Sequence, residues 1–225
     1  MLENRYERNS PALSEQECKL IQGKRVLIVG CGGLGGYLLE FLARVGVGFI
    51  RVVDGDVFDQ SNLNRQLLAE ESLIGIPKAE AAKARGKSIN SAVEIEAICS
   101  FLDSNNAYKL VKDCDVVLDG LDNVKARKIL SAACADAGVP YVHGAVRGWE
   151  LQAAVSMPGD HLIDTLYPQD GDVSDQSAPS FTPAMCASLQ AALCVQLLAG
   201  RPVESGTLHY FDLLHQTFAS IPVVL

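Results

Sequence analysis

The sequence predicts an α/β fold: a Rossmann-like, doubly wound and mostly parallel sheet that antiparallel strands extend at its C-terminal end. Up to residue 145, five short apolar runs alternate with helix-compatible segments, which is typical of parallel strands joined by crossover helices. After residue 150 the rhythm changes, because the run at 151–157 follows the one at 141–145 too closely for a parallel crossover. The later strands are therefore expected to be antiparallel.

The predicted elements follow from apolar periodicity, caps and breaks at glycine or proline. Ser14 and Glu17 have capping-box spacing at the start of a helix, and Ser104 is expected to cap a later one. Predicted strands are residues 26–29, 49–54, 93–98, 115–120, 141–145, 151–157, 207–212 and 217–224. Predicted helices are residues 14–21, 37–45, 63–70, 78–87, 104–111, 124–137 and 182–198, and residues 158–183 are expected to be a long loop.

The charge balance argues against a nucleic-acid partner, and the distribution of apolar residues argues against a membrane span or a signal peptide. The 225-residue chain carries a formal net charge of −8 and has no basic stripe, so nucleic acid is not expected as a partner. The first residues are polar, and no uninterrupted run of 18 apolar residues occurs. Neither a membrane span nor a signal peptide is therefore expected.

The cysteines indicate the compartment. There are seven, an odd number, and several lie in apolar strand-like or helix-like segments. This favours reduced thiols in a cytoplasmic protein over a disulfide framework. No C-x-x-C pair occurs, so a four-cysteine structural zinc site is not expected.

Residues 26–35 are the stretch around which the rest of the chain is organised. The apolar run at 26–29 suits a buried strand, and Gly30, Gly32 and Gly35 then have the spacing G-x-G-x-x-G before a helix. Unpaired backbone N–H groups and the positive end of a helix dipole meet at such a turn, where a phosphate group fits. A tight strand-to-helix turn without a ligand would produce the same pattern.

An acidic residue ends the second predicted strand. Asp54 lies 19 residues after Gly35, in a position where a carboxylate can hydrogen-bond a ribose hydroxyl. The glycine turn and this acid together favour a ligand that contains adenosine. Asp56 follows two residues later, and an ordinary turn residue is its alternative interpretation.

Further polar residues follow the strands at the edge where such folds bind ligands. The loop after the second strand places amides around a single arginine, Arg65. Lys78 opens the next helix, where a cation opposes the dipole and so indicates an anionic partner; an exposed helix-start lysine is the alternative. Asp122 and Asn123 are expected to cap a helix, and His143 is expected to be a hydrogen-bonded strand residue rather than a catalyst.

These motifs, in this order and at these intervals, resemble those of the MoeB/ThiF/HesA group, relatives of the ubiquitin-activating enzymes. The resemblance runs from about residue 5 to residue 212, nearly the whole chain. Each motif alone is weak, and together they are highly specific. They are Gly30-x-Gly32-Gly33-Leu34-Gly35, Asp54-Gly55-Asp56, Ser61-Asn62-Leu63-Asn64-Arg65-Gln66, Gly75-x-Pro77-Lys78 and Asp119-x-x-Asp122-Asn123.

The resemblance implies an adenylyltransferase that uses ATP and Mg²⁺ to adenylylate the C-terminal glycine of a small ubiquitin-like sulfur carrier. Such carriers end in Gly-Gly and are of the ThiS or MoaD type. It also implies a homodimer and a single adenylation domain over residues 1–225. Residues 1–23 would form an N-terminal arm and helix, residues 24–148 the nucleotide-binding part, and residues 149–225 the antiparallel strands, a crossover loop and a helix.

The resemblance further implies roles for individual residues. Arg65, Lys78 and Asp122 would be catalytic, with Asp122 holding Mg²⁺. Arg8 would be catalytic in the other subunit of the dimer, where it would reach the bound triphosphate. The nucleotide would be bound by Gly30, Gly32, Gly33, Leu34, Gly35, Asp54 (at the ribose), Asp56, Asn62, Arg65, Gln66, Lys78, Asp122 and Asn123.

The sequence departs from the family pattern at three points. The two C-x-x-C pairs that hold structural zinc in many members are missing, so no zinc is expected. Residues 158–183 contain no cysteine, whereas members that link covalently to their carrier have one there. Adenylylation without an enzyme-bound thioester is therefore expected, with Cys186 as the one nearby candidate nucleophile. Leu121 replaces a common threonine, with unknown effect.

Three other functions are compatible with part of the sequence. An NAD-linked Rossmann oxidoreductase would explain the glycine turn and Asp54, but not Arg65, Lys78 and Asp122. A relative that activates a carboxylate on tRNA shares the motifs, although the acidic balance argues against a tRNA partner. A non-catalytic carrier-binding protein would not need the cations.

Overall fold

A computed structural model describes residues 3–169, 171 and 177–223. Within them, eight strands form one sheet: β1 (Arg25–Val29), β2 (Phe49–Val53), β3 (Glu94–Ile98), β4 (Val116–Asp119), β5 (Tyr141–Arg147), β6 (Glu150–Ser156), β7 (Thr207–Asp212) and β8 (Thr217–Pro222). Their order across the sheet is β3-β2-β1-β4-β5-β6-β7-β8. This single sheet runs through both the predicted 24–148 part and the predicted 149–225 part.

The strand pairing changes from parallel to antiparallel where the sequence predicts it. Strands β3, β2, β1, β4 and β5 pair in parallel, and each later pair is antiparallel. The link between β5 and β6 has two residues, and its first, Gly148, has a φ of 57°. Because a two-residue turn of this kind only joins neighbouring antiparallel strands, β6 folds directly back on β5. The predicted fold class is confirmed.

Helices cover both faces of the parallel part. The α-helices are α1 (Glu15–Gln22), α2 (Gly35–Val45), α3 (Lys78–Ile89), α4 (Ala107–Val111), α5 (Val124–Ala137), α6 (Leu162–Leu166) and α7 (Phe181–Leu198). Short 3-10 segments form at Asn4–Asn9, Gln60–Asn62 and Glu71–Leu73. The predicted capping box of α1 is present, since Glu17 N–H donates to Ser14 Oγ and Ser14 N–H donates to Glu17.

Strand β1 shows how the two faces form two cores. Val26 and Ile28 pack on the side of α2, α3 and α7. Leu27 and Val29 pack on the opposite side with α4 and α5. All four are buried, as a central parallel strand requires, and each such aliphatic side chain stabilises the fold by about 1.5–3 kcal/mol. The continuous apolar run at 26–29 therefore corresponds to a strand with two buried faces.

Helix α7 is the most apolar element. Among the described residues it is the one helix that is long and apolar enough to cross a membrane by length and composition, and half of it is buried within the fold. It packs against α2, β5 and β6, with Cys186, Gln190 and Cys194 fully buried. In this structure α7 is a core helix that packs on one face of the sheet.

Some of the sequence-based element assignments are wrong. Residues 63–70 do not form a helix; a 3-10 turn forms just before them at Gln60–Asn62, where the side chains of Asp59 and Asn62 cap each other's backbone N–H groups. Ser104 caps nothing: Asp103 Oδ1 accepts the N–H groups of Asn105 and Asn106 instead, and α4 begins only at Ala107.

The predicted loop 158–183 is partly helical. Helix α6 forms within it because Leu162 and Ile163 are buried against the sheet. Helix α7 begins at Phe181, one residue before the predicted start. Residues 170 and 172–176 of this loop lie outside the described residues, as does residue 224 of the last predicted strand.

Candidate functional site

The carboxyl ends of β1, β2, β3 and β4 open into one cavity of about 690 Å³. Parallel strands that leave a central pair in opposite directions create such a crevice, and β1 and β4 are that pair here. The predicted site residues that line it are Gly30, Gly32, Gly33, Leu34, Asp54, Asp56, Arg65, Gln66, Lys78, Asp122 and Asn123. Gly35, Asn62 and Arg8 do not line it.

The glycines of the turn divide into two groups. Gly30 has a φ of 92°, and a Cβ on Gly30 or Gly35 would overlap the backbone carbonyls of Gly120 or Gly30 respectively. Gly30 therefore allows the turn after β1 to touch the backbone after β4, and Gly35 allows the glycine turn to close on its own backbone. A Cβ on Gly32 or Gly33 would meet only side chains, at 3.6 Å, so these two leave their space to the cavity. Gly35 is thus a packing residue that does not line the cavity, and its predicted nucleotide contact remains a prediction.

Asp54 holds the glycine turn in place. Its Oδ2 accepts the N–H of Cys31 at 2.6 Å and its Oδ1 accepts the N–H of Asp56 at 2.8 Å. Burial raises the pKa of this carboxyl, while the two backbone donors oppose the rise. Each oxygen keeps a second lone pair, and Asp54 lines the cavity. Its predicted contact with a ribose remains a prediction.

Lys78 is a buried cation at the first turn of α3. Its side chain is only 9% exposed, and its Nζ lies 3.2 Å from Oδ2 of Asp56, which is 55% exposed. The helix start is as predicted, but the alternative of an exposed lysine is wrong. A cation with little access to water and one half-exposed carboxylate has capacity for a further anion.

Arg65 and Gln66 come from the loop after β2. Arg65 Nη1 donates to Ser61 O at 2.8 Å and to Asn64 Oδ1 at 3.0 Å, which leaves the remaining N–H groups of its five-donor fork for a ligand. Gln66 is buried beside Gly32, and its Oε1 has no hydrogen-bond partner among the described residues. An unpartnered amide at the cavity wall fits a polar ligand, with either amide orientation.

Asn62 supports this loop from behind. It is buried, its Oδ1 accepts the N–H of Asp59, and its carbonyl accepts the N–H groups of Arg65 and Gln66. The side chain is therefore engaged in shaping the turn. The phosphate contact predicted for Asn62 remains a prediction.

Asp122 and Asn123 follow β4 at the cavity rim. Asn123 Oδ1 accepts the N–H of Ala126 and caps α5, so the interpretation of Asp122 as the cap is wrong. Asp122 is exposed, and no cluster of three or more His, Cys, Asp or Glu side chains suited to a metal occurs in the described part of the chain. Mg²⁺ commonly uses one carboxylate together with phosphate oxygens and water. Asp122 therefore fits an ion that binds together with a nucleotide.

Arg8 lies far from the cavity of its own chain. It is exposed in the 3-10 segment Asn4–Asn9, which docks at the end of α2 through Asn9 Nδ2 and Val45 O, 3.1 Å apart. The cavity is at the other end of this helix, and 11 residues of α-helix measure about 16 Å. An arginine side chain does not bridge that distance, so Arg8 does not belong to the site formed by its own chain.

Several lining residues were missed by sequence reasoning. Four follow β3, and most of the others come from α5, from the end of α6 and from the antiparallel part of the sheet. Since all strands of the parallel part end at this edge, the position after β3 was a usable signal. The antiparallel part carried no comparable signal. The missed polar or aromatic residues include Ser100, Phe101, Asp103, Lys125, Arg127, Arg147, Glu150, Gln152, Tyr167 and Tyr210.

The lining has no net charge, although the whole chain carries −8. Five basic and five acidic side chains contribute. They are Arg65, Lys78, Lys125, Arg127 and Arg147, and Asp54, Asp56, Asp103, Asp122 and Glu150. An anionic ligand thus meets a less repulsive surface in the cavity than elsewhere on this acidic protein.

His143 and Cys186 lie behind the cavity. His143 is fully buried, with Nδ1 2.8 Å from Asp119 Oδ2 and Nε2 3.1 Å from Tyr167 Oη, which agrees with the expectation of a hydrogen-bonded strand residue. Cys186 is a fully buried residue of α7, and burial raises the pKa of its thiol to about 12. A thiol in that state is not a nucleophile at neutral pH.

The chain is similar to known proteins. The ThiF family matches residues 6–224. The SAMP-activating enzyme E1 of Haloferax volcanii is 35% identical over 206 residues, which cover 88% of this chain and 76% of that protein. The sulfur carrier protein ThiS adenylyltransferase of Bacillus subtilis is 32% identical over 203 residues, which cover 87% of this chain but only 60% of that protein.

The fold also matches a solved structure. Escherichia coli MccB with ATP superposes with a TM-score of 0.84 over 99% of this chain and 72% of that chain. The sequences are 21% identical, so this likeness concerns the fold alone.

Proposed function

The chain belongs to the ThiF family, and on this premise we propose that it transfers the adenylyl group of ATP to the C-terminal carboxylate of a small ubiquitin-like sulfur-carrier protein. One observation carries the proposal. The glycine turn, Asp54, two cations and Asp122 converge on one cavity at the switch point of the sheet. An NAD-linked oxidoreductase would use the first two features but gives no role to Arg65, Lys78 and Asp122, and the relatives give it no support.

The reaction needs positive charge more than it needs proton transfer. A carboxylate oxygen of the carrier attacks the α-phosphorus, the bond from that phosphorus to the bridging oxygen breaks, and pyrophosphate leaves with the electron pair. The nucleophile is a terminal carboxylate with a pKa near 3.5 and is already ionised, so no general base is required. Negative charge grows on the phosphoryl oxygens, and fixed cations aimed at it lower the barrier.

Lys78 and Arg65 are suited to this task for different reasons. Lys78 is held by its burial and by Asp56, so its charge does not have to be reorganised when the reaction occurs. Arg65 has a planar fork that can grip two phosphate oxygens at once. The open amide of Gln66 and the two cavity-facing glycines complete the wall at which the phosphates would lie.

Mg²⁺ bound with the nucleotide would neutralise charge on the departing pyrophosphate, and the exposed carboxylate of Asp122 at the cavity rim would hold it. Asp56 belongs to the same wall but is paired with Lys78.

The names of the relatives guide the choice of carrier. The Bacillus relative is named for adenylylating ThiS and the Haloferax relative for activating SAMP. For this chain, candidate carriers are therefore small proteins with a C-terminal Gly-Gly. We propose that the carrier tail enters along the part of the cavity lined by β5, β6 and β7, because the glycine turn and Asp54 occupy the opposite part.

ATP–pyrophosphate exchange tests the proposal. Exchange should require a carrier that ends in Gly-Gly and should disappear when the terminal glycine is removed. Lys78→Met should lower the exchange rate by at least about 100-fold, as loss of a charge-stabilising group does. Lys83→Met, an exposed lysine of the same helix, is the matched control and should retain full exchange. No exchange with any candidate carrier would refute the proposal, and exchange stimulated by tRNA would favour the tRNA-activating alternative.

We further propose that the protein acts as a homodimer in which Arg8 serves the partner's site. The distance of Arg8 from the cavity of its own chain supports this assignment. Arg8→Ala and Lys78→Met should each be inactive alone. Mixed and re-equilibrated, they should recover about a quarter of the wild-type sites, since half of the dimers are mixed and each of these has one intact site. No recovery, or a monomer in sedimentation, would refute it.

Cellular conditions and covalent chemistry belong to the same proposal. All seven cysteines are free, which supports a reducing, cytoplasmic location. The buried state of Cys186 supports chemistry that ends at the acyl-adenylate. A carrier-linked thioester detected on this protein after ATP treatment would contradict that part.

A further inference from the structure

Asp119 is a fully buried carboxylate whose oxygens are all engaged. It is the last residue of β4. Oδ1 accepts the N–H of Leu121 at 2.8 Å. Oδ2 accepts from Tyr141 Oη at 2.7 Å and Arg127 Nε at 3.1 Å, and lies 2.8 Å from His143 Nδ1. A buried carboxylate with this many donors stays ionised and rigid.

Arg127, a residue of α5, binds the same short segment around Leu121. Its Nη2 donates to Leu121 O at 2.6 Å and to Gly144 O at 3.3 Å, and its side chain is nearly as buried as that of Asp119. Leu121 therefore has its N–H bound by Asp119 and its carbonyl bound by Arg127. The ion pair fixes both backbone polar groups of the residue that precedes Asp122.

The residue after Asp122 is fixed as well. Asn123 caps α5 through its own side chain, while Gln190 Nε2 donates to Asp119 O at 2.9 Å and ties the end of β4 to α7. Asp122 itself is exposed at the cavity rim. The chain thus holds the backbone on both sides of one accessible carboxylate.

A buried ion pair is a poor way to gain stability. Apolar residues of similar size usually stabilise a core as well or better. The Asp119–Arg127 pair binds the backbone of Leu121, next to the cavity. Its presence is better explained by the geometry that it imposes on this backbone than by stability.

We propose that Asp119 and Arg127 are positioning residues that act through the Leu121 backbone to aim the Asp122 carboxylate at a Mg²⁺–nucleotide complex. The inference rests on the proposed function. It also accounts for Arg127 lining the cavity although its N–H groups are directed to protein acceptors.

The test measures how strongly Mg²⁺ improves ATP binding. Titration calorimetry with and without Mg²⁺ gives this coupling as a ratio of dissociation constants. Arg127→Lys keeps a cation beside Asp119 but cannot grip two carbonyls in the same plane. It should reduce the ratio by about 10–100-fold, as loss of an outer-shell partner does.

A double-mutant cycle separates positioning from general damage. Asp122→Asn should abolish the coupling, and adding Arg127→Lys to it should have no further effect, because Arg127 acts only through Asp122. The neutral pair Asp119→Asn with Arg127→Gln avoids an unpaired buried charge and should behave like Arg127→Lys. Glu40→Gln with Arg85→Gln removes a partly buried ion pair away from the cavity and should leave the coupling intact.

The possible failures are distinguishable. A wild-type protein that binds no ATP, or binds it without any Mg²⁺ dependence, would overturn the proposed function and this inference with it. A wild-type protein with normal coupling, in which Arg127→Lys changes nothing or adds fully to Asp122→Asn, would overturn the inference alone. Amide exchange gives a second readout: Leu121 N–H should exchange faster in Arg127→Lys, and unchanged protection would count against the proposed hold.

Discussion

The carboxylate of Asp54 lies 2.6 Å from the backbone nitrogen of Cys31 and accepts its N–H. The acid that the sequence suggests for ribose binding is thus also the residue that holds the glycine turn. Asp54→Ala should leave the buried Cys31 N–H unpaired and lower the free energy of unfolding by about 1–3 kcal/mol. Urea unfolding and ATP titration should both report a loss, and unchanged unfolding would mean that the turn is held by other contacts.

The glycines of the turn should respond differently to alanine. Gly35→Ala places a Cβ against the Gly30 carbonyl oxygen, which is backbone and cannot move aside. Its cost should reach or exceed the upper end of the usual overpacking range of about 1–3 kcal/mol. Gly33→Ala meets only Pro183 Cβ at 3.6 Å, so its stability should be near wild type. Because Gly33 lines the cavity, that variant should instead lose ATP affinity.

Thermal unfolding and ATP titration of the two glycine variants decide this point. Equal loss of stability in both would show that the turn works as one structural unit, contrary to the division seen in the backbone contacts.

Stability should fall below about pH 6.5 because of His143. Burial lowers the pKa of this side chain from its ordinary value of 6.5, and the Asp119 carboxylate only partly offsets that effect. As pH falls through 6.5, the unfolded chain therefore takes up a proton that the folded protein does not. The stability that the neutral His143 side chain contributes is fully present above pH 6.5. It is lost as the pH falls from 6.5 towards the pKa of His143 in the folded protein, and the free energy of unfolding then drops by at most about 1.4 kcal/mol per pH unit.

Urea unfolding between pH 7.5 and 5.5 measures this slope. His143→Gln can still donate to Asp119 and should flatten the slope, whereas His161→Gln, at an exposed position, should not. A slope that persists in His143→Gln would assign the acid sensitivity to another group.

Thiol reactivity should single out Cys99. It is the one exposed cysteine, and the other six are buried. A thiol reagent applied to the native protein should therefore modify about one thiol per chain quickly and the rest only after unfolding. Cys186→Ala should keep carrier-dependent pyrophosphate exchange within about twofold of wild type, since deletion of one buried sulfur changes packing more than chemistry. Rapid labelling of Cys186 would contradict this prediction and would make Cys186 a candidate nucleophile again.

Local signals explain why most of the sheet could be predicted. The alternation of apolar runs and helices, and the short link at residues 148–149, report backbone geometry directly. The errors lie where side chains compete for backbone groups. Asp59 with Asn62, and Asp103, offered caps that the apolar pattern between residues 57 and 111 does not reveal.

The sequence by itself determined the kind of site. It predicts a triphosphate-binding edge from a glycine turn, an acid 19 residues later, a loop arginine, a helix-start lysine and an acid after the fourth strand, because parallel strands bring their carboxyl ends together. Tertiary structure alone decided which glycines pack and which face the cavity, and that Arg8 lies about one helix length from its own site. It also decided that Asp119 and Arg127 hold Leu121, because these distances depend on how separate elements pack and not on spacing along the chain.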